Sequence, residues 1–143
     1  MAKETKEYFK RYIQKLIAEQ LFEIATHGGL HDGVLEKRRM AAQFVCNELC
    51  AGEFRDIKKK IIVLMNIKLE KWSYAAVEGA KEAKKEFLDY VFVNARKWAA
   101  MPEFYENNIR EILRHELVHV LTGWGDDDPR FQAELKRRGI KDF

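Results

Sequence analysis

Between Pro102 and Gly123 the chain places Ile109, Ile112, Leu113, Leu117, Val120 and Leu121 at the spacing of one helical face, with two histidines four apart among them, His115 and His119. Pro102 supplies a start, because the first turn of a helix has no use for the N–H that proline lacks. Gly123 and Gly125 supply a stop. The segment from about Glu103 to Thr122 therefore predicts a helix that packs its apolar stripe on a core and holds both imidazoles on one side, a turn apart. Whatever else the chain builds must give that stripe a surface to bury against.

The remaining elements follow from similar signals. Tyr8, Phe9, Tyr12, Ile13, Leu16, Ile17, Leu21, Phe22 and Ile24 predict a long amphipathic helix from Glu4 to about Ala25. The glycine-rich stretch His27 to Gly33 breaks it, and a second helix is expected from about Val34 to Cys50, with Met40, Phe44, Val45 and Leu49 on its apolar side and Gly52 at its exit. The middle is rich in β-branched and aromatic residues: Ile61 to Met65, Ile67 to Glu70, Trp72 to Val77 and Tyr90 to Val93. These runs predict a small three-stranded sheet, with Lys81 to Lys85 as an exposed turn or short helix tip. Asp128 followed by Pro129 reads as an N-cap and first helical residue, opening a last helix that closes at Gly139. The expected fold is a single α+β domain over residues 1–143, with a helical region over 1–52 and the sheet and metal-site helices over 61–140.

With 143 residues, nine Phe, three Trp and five Tyr, the chain can bury one sizeable core and has no room for a second domain of ordinary size. Twenty-six Lys and Arg against 23 Asp and Glu leave a net charge of +3, too mild to name a nucleic-acid partner. DNA association stays open through the basic clusters at Lys58 to Lys60, Lys81 to Lys85 and Lys136 to Arg138, which solvated helix faces also explain. No stretch approaches the ~20 consecutive apolar residues of a membrane span, and Met1 to Glu7 is polar, so a cytoplasmic protein without membrane contact is expected. Cys46 and Cys50 lack a surrounding Cys or His partner set and read as buried free thiols. Oligomeric state leaves no mark in the sequence.

His115-Glu116-Leu117-Val118-His119 is where chemistry concentrates. Imidazoles a turn apart can reach one ion at ~2.0–2.1 Å while the helix fixes their separation. Glu116, beside the first histidine, is placed to bond a metal-held water and act as general base. These residues point to zinc and to hydrolysis of a protein or peptide substrate. A third ligand is needed, with a position left for water. Asp126, Asp127 and Asp128 follow His119 by seven to nine residues, and the glycines let the chain turn back. With Asp128 engaged as a helix cap, Asp127 is the leading candidate, then Asp126, with Glu134 on the last helix as the rival.

The stretch Ile112 to Gly123, continuing through Asp127-Asp128-Pro129-Arg130-Phe131 to Leu135, resembles the SprT-like zinc metallopeptidase domain, the group that includes the Spartan DNA–protein crosslink proteases. Lys68 to Gly79 and Tyr90 to Asn94 are placed like that family's strands, so the resemblance covers about Ile67 to Ile140. It implies a zincin-like fold in which the metal helix follows a small sheet. It also implies a third ligand four residues ahead of an aromatic residue; Phe131 holds the aromatic place and Asp127 stands where the family usually has a His. Metzincins match less well: their spacing puts the third ligand at Gly125, and no Met follows His119 for the turn beneath the metal.

Other residues admit a site role beside a plainer one. Trp124, between two glycines next to the candidate site, is a substrate-binding candidate; Trp72 and Trp98 are expected to pack. Arg110 and Arg114 could stabilise an oxyanion but fit a solvent-facing side of the helix. His27 and His31 are separated by two glycines and read as loop residues. An edge strand near Tyr90 to Asn94 is expected to pair with an extended substrate. Two competing readings remain: a non-catalytic DNA- or protein-binding module that keeps the fold, and a latent peptidase whose N-terminal helices cover the cleft.

Overall fold

The computed structural model describes residues 10–19, 22, 32–69, 73–79 and 88–141. Among these it is an α+β arrangement of five helices and one small sheet. Helix α1 covers residues 10–19; α2 is Asp32–Ala51, α3 Ala95–Ala100, α4 Pro102–Thr122 and α5 Pro129–Arg138. The strands are β1 Lys60–Asn66, β2 Ala75–Gly79 and β3 Leu88–Asn94.

The sheet order is β1-β3-β2, so β3 lies in the middle. It pairs in parallel with β1, Val63 opposite Val91, and antiparallel with β2, Val77 opposite Val91 on the other side. This corrects the expected edge strand near Tyr90 to Asn94: both its hydrogen-bonding sides are occupied, and among the described residues β2 and β1 are the edge strands. In the run Ile67 to Glu70, residues 67–69 form a bend and not a strand, and Glu70 lies outside the described residues.

Alternation along the strands divides the core into two layers. Ile61, Val63, Met65, Val91 and Val93 face the main core with Ile112, Leu113, Leu117 and Val118 of α4 and Leu35, Cys46 and Leu49 of α2. Ile62, Leu64 and Leu88 face the other way, against Tyr12, Ile13, Leu16 and Ile17 of α1. The described part of the first helix thus covers the sheet face opposite the histidine helix. The face expected to be apolar on α2 is rotated: Met40 is 56% and Phe44 65% exposed, while Leu35, Ala42, Cys46 and Leu49 are buried. Their order i, i+7, i+11, i+14 is the stripe that reaches the sheet, and the small Ala42 and Cys46 let the helix sit close.

The outer edge of β1 is closed by side chains of α2. Gln43 Oε1 accepts from the Val63 N–H at 2.8 Å, Gln43 Nε2 donates to the Ile61 carbonyl at 2.9 Å, and Arg39 Nη1 donates to the Val63 carbonyl at 3.0 Å. They fill the bonding positions a further strand would take.

Helix α3 was not foreseen. Asn94 caps it, its side chain accepting from the Lys97 N–H at 3.0 Å and donating to the Ser73 carbonyl at 2.9 Å. Trp98, expected to pack, is buried. Cys46 and Cys50 are free, the first buried and the second half-buried. Among the described residues no helix is long and apolar enough to cross a membrane. His27, His31, Trp72 and Lys81 to Lys85 lie outside the described residues.

Candidate metal centre

Helix α4 runs from Pro102 at its first position to Gly123, which takes the left-handed conformation (φ 74°) and returns its N–H to the His119 carbonyl at 2.8 Å. A Cβ is strained there, so glycine is what allows the chain to reverse over the last turn of the helix. The reversal continues as a turn in which the Asp128 N–H reaches the Gly125 carbonyl at 3.1 Å, with Asp126 and Asp127 at its centre. Asp128 then caps α5, its side chain accepting from the Arg130 N–H at 2.9 Å, with Pro129 next. Gln132 Nε2 ties the turn to α5 by donating to the Asp126 carbonyl at 3.1 Å.

This fold-back brings one carboxylate to both imidazoles. Asp126 Oδ1 lies 3.3 Å from His115 Nε2 and 3.0 Å from His119 Nε2. His115, His119 and Asp126 form a group whose donor atoms all lie within 4.8 Å of one another and could hold a metal ion. The spacing suits the purpose: donors at ~2.0–2.1 Å around a tetrahedral ion stand roughly 3.3 Å apart. Asp127, expected as third ligand, lines the same cavity but does not enter the group. Neighbouring side chains at the centre of a turn point in different directions, and here the first of them faces the histidines. Glu134 is engaged by Arg137 and Arg138 on α5 and is also outside the group.

The imidazoles are held on their other sides. His119 Nδ1 is 2.7 Å from the Trp124 carbonyl oxygen, which can only accept. The Nδ1 therefore carries a proton and Nε2 is the nitrogen turned towards Asp126, the outer-shell arrangement that orients a ligating histidine. Phe131, fully buried, stacks on the His119 ring at 3.9 Å and 7°, and meets His115 edge-on at 5.1 Å and 75°. The Phe131 ring thus packs against both imidazoles, and His119 is held a second time through its Nδ1.

Glu116 is 6% exposed and opens onto the same cavity, of about 750 Å³. Burial, with the negative charge of Asp126 adding to it, pushes its carboxyl up to about 8. A carboxyl whose pKa lies near neutral pH can both take up and give back a proton, the range in which acid–base catalysis is efficient. Opposite stand Ser73 to Val77, the start of β2. They are pinned through the Tyr74 carbonyl, which accepts from the Asn94 N–H at 3.0 Å and the Tyr105 hydroxyl at 3.0 Å. Trp124 closes one end, its ring beneath the Arg130 guanidinium at 4.7 Å.

Arg110 is exposed. Arg114 is turned away from the cavity, donating to both Glu53 oxygens at 2.7 and 3.1 Å, to Glu111 at 2.9 Å and to the Arg138 carbonyl at 3.0 Å. Burial raises the Glu53 pKa and the bonds from Arg114 and Arg138 outweigh it, so this carboxyl sits below its ordinary range. The network fastens the loop after α2 and the end of α5 to the back of the metal helix. Spacing offered Asp126 only behind Asp127, and it did not expose the Phe131 stack or the Trp124 carbonyl, since all three depend on the path of the chain after Gly123. Comparison of the chain with known protein families, with curated proteins and with solved structures found no match.

Proposed function

We propose that the protein is a zinc-dependent metallopeptidase of the SprT-like, zincin type. The observation that carries this reading is the convergence of His115 Nε2, His119 Nε2 and Asp126 Oδ1 on one point, beside a buried Glu116 that follows the first histidine directly. Two imidazoles and a carboxylate are a catalytic zinc donor set, and three protein ligands leave one position open. Zinc held there would lower the pKa of a water towards ~7 and polarise a peptide carbonyl.

The chain's own residues do the rest. The Trp124 carbonyl and the Phe131 ring orient His119, Asp126 completes the donor set, and Glu116 would receive the proton of the attacking water on its carboxylate and return it to the leaving amine. Among the described residues β2 lies at the edge of the sheet and its first residues line the same cavity, so an extended peptide could add to the sheet there and lie across the site. The opposite edge is closed by Gln43 and Arg39, so among the described residues β2 is the edge left to accept it.

Glu116→Gln tests the reading. The variant keeps zinc and loses hydrolysis of casein or a fluorogenic peptide, because the amide fills the same space and cannot take a proton. A Gln variant as active as the parent refutes the role of Glu116. Zinc bound by the parent with no turnover, in the presence or absence of DNA, favours instead a binding module that retains the metal.

A further inference from the structure

Three consecutive aspartates follow Gly125, and the fold gives two of them work. Asp126 faces the imidazoles; Asp128 caps α5 and holds the Arg130 side chain at 2.8 and 3.1 Å. Asp127 is exposed, lines the cavity, and has no hydrogen bond or ion pair among the described residues. Among the described residues no lysine or arginine lines the cavity with it; the neighbouring cation, Arg130, is taken up by Asp128 and the Trp124 ring.

Asp127 therefore stands on the cavity wall as a carboxylate that no cationic side chain among the described residues compensates. A carboxylate so placed attracts a cationic side chain and repels an acidic one, and a low-dielectric cavity wall sharpens the effect.

We propose that Asp127 is a specificity-determining residue that selects peptides carrying a lysine or arginine beside the bond lying over the metal centre. The inference rests on the peptidase reading for what the peptide is there to do, but the charge preference shows in binding as well as in cleavage.

The test uses zinc-loaded protein and blocked alanine peptides with a single Lys, Leu or Glu at each position in turn, measuring binding by calorimetry and cleavage by fluorescence. An exposed charge pair is worth only a few-fold, so the Lys peptide binds about fivefold tighter than Leu and the Glu peptide about fivefold weaker. Asp127→Asn brings the three within about twofold of one another, and Asp127→Lys inverts their order. Zinc content is unchanged in both variants. Equal binding of the three peptides by the parent overturns the proposal, as does a preference that survives in Asp127→Asn. Loss of zinc from Asp127→Asn also overturns it, by making Asp127 a ligand. Peptides bound in charge order but never cut contradict the peptidase reading and uphold this one; peptides cut with no charge order do the reverse.

Discussion

The Nδ1 atom of His119 donates to the carbonyl of Trp124 at 2.7 Å, and this bond decides which face of the ring can meet a cation. Because the acceptor belongs to the backbone just beyond Gly123, any side chain at position 124 preserves it, while disturbance of the turn removes it. Titrating zinc into 15N-labelled protein should move the Nε2 resonance of His119 and leave Nδ1 protonated. A shift at Nδ1 with loss of its proton would show the metal on the wrong nitrogen.

Asp126 and Asp127 are predicted to differ sharply as asparagine variants. Removing an outer-shell partner of a zinc ligand costs about 10–100-fold in affinity, and removing a ligand costs more. Asp126→Asn should therefore lose more than about 100-fold in zinc affinity by competition with a chelating dye, with Asp127→Asn close to the parent.

The raised pKa of Glu116 gives metal-free protein a pH signature. The folded state keeps this proton up to about 8, whereas the unfolded chain releases it near the ordinary value of 4.5. Its contribution is fully present below the unfolded value and is lost as pH rises through the folded one, at no more than about 1.4 kcal/mol per pH unit. Melting temperatures of metal-free parent and Glu116→Gln should match near pH 4.5 and separate towards pH 8, the parent melting lower. Parallel curves would contradict the burial of an ionisable carboxyl here.

Much of this was legible beforehand, and the limits have physical causes. The helix from Pro102 to Gly123, the histidine pair on it and the Asp128 cap all arise from contacts within a few residues, where periodicity and capping chemistry carry the information. Strand order does not: parallel pairing of Lys60–Asn66 with Leu88–Asn94 joins segments far apart in the chain, so the strand expected at the edge is central. The choice between Asp126 and Asp127 depends on one turn anchored by the Gly125 carbonyl. Met40 and Phe44 fit an apolar face by spacing, but Ala42 and Cys46 are the residues small enough to allow the observed contact. The six-residue helix Ala95–Ala100 is too short for periodicity, and Asn94, its cap, was the available signal.

Gln43 should matter to stability and solubility well away from the centre. Its amide satisfies one N–H and one carbonyl at the edge of β1. Gln43→Leu strands both groups, an expected loss of about 1–3 kcal/mol in urea unfolding. It should also increase self-association by light scattering, because a bare strand edge invites pairing. Unchanged unfolding and a monodisperse variant would count against the capping role.

Zinc stoichiometry of purified protein, by elemental analysis after dialysis against trace zinc, shows whether these three side chains hold an ion. The grip of His115, His119 and Asp126 predicts about one zinc per chain in the parent and close to none in His115→Ala and His119→Ala. A parent that takes up no metal, or histidine variants that hold as much as the parent, would contradict it.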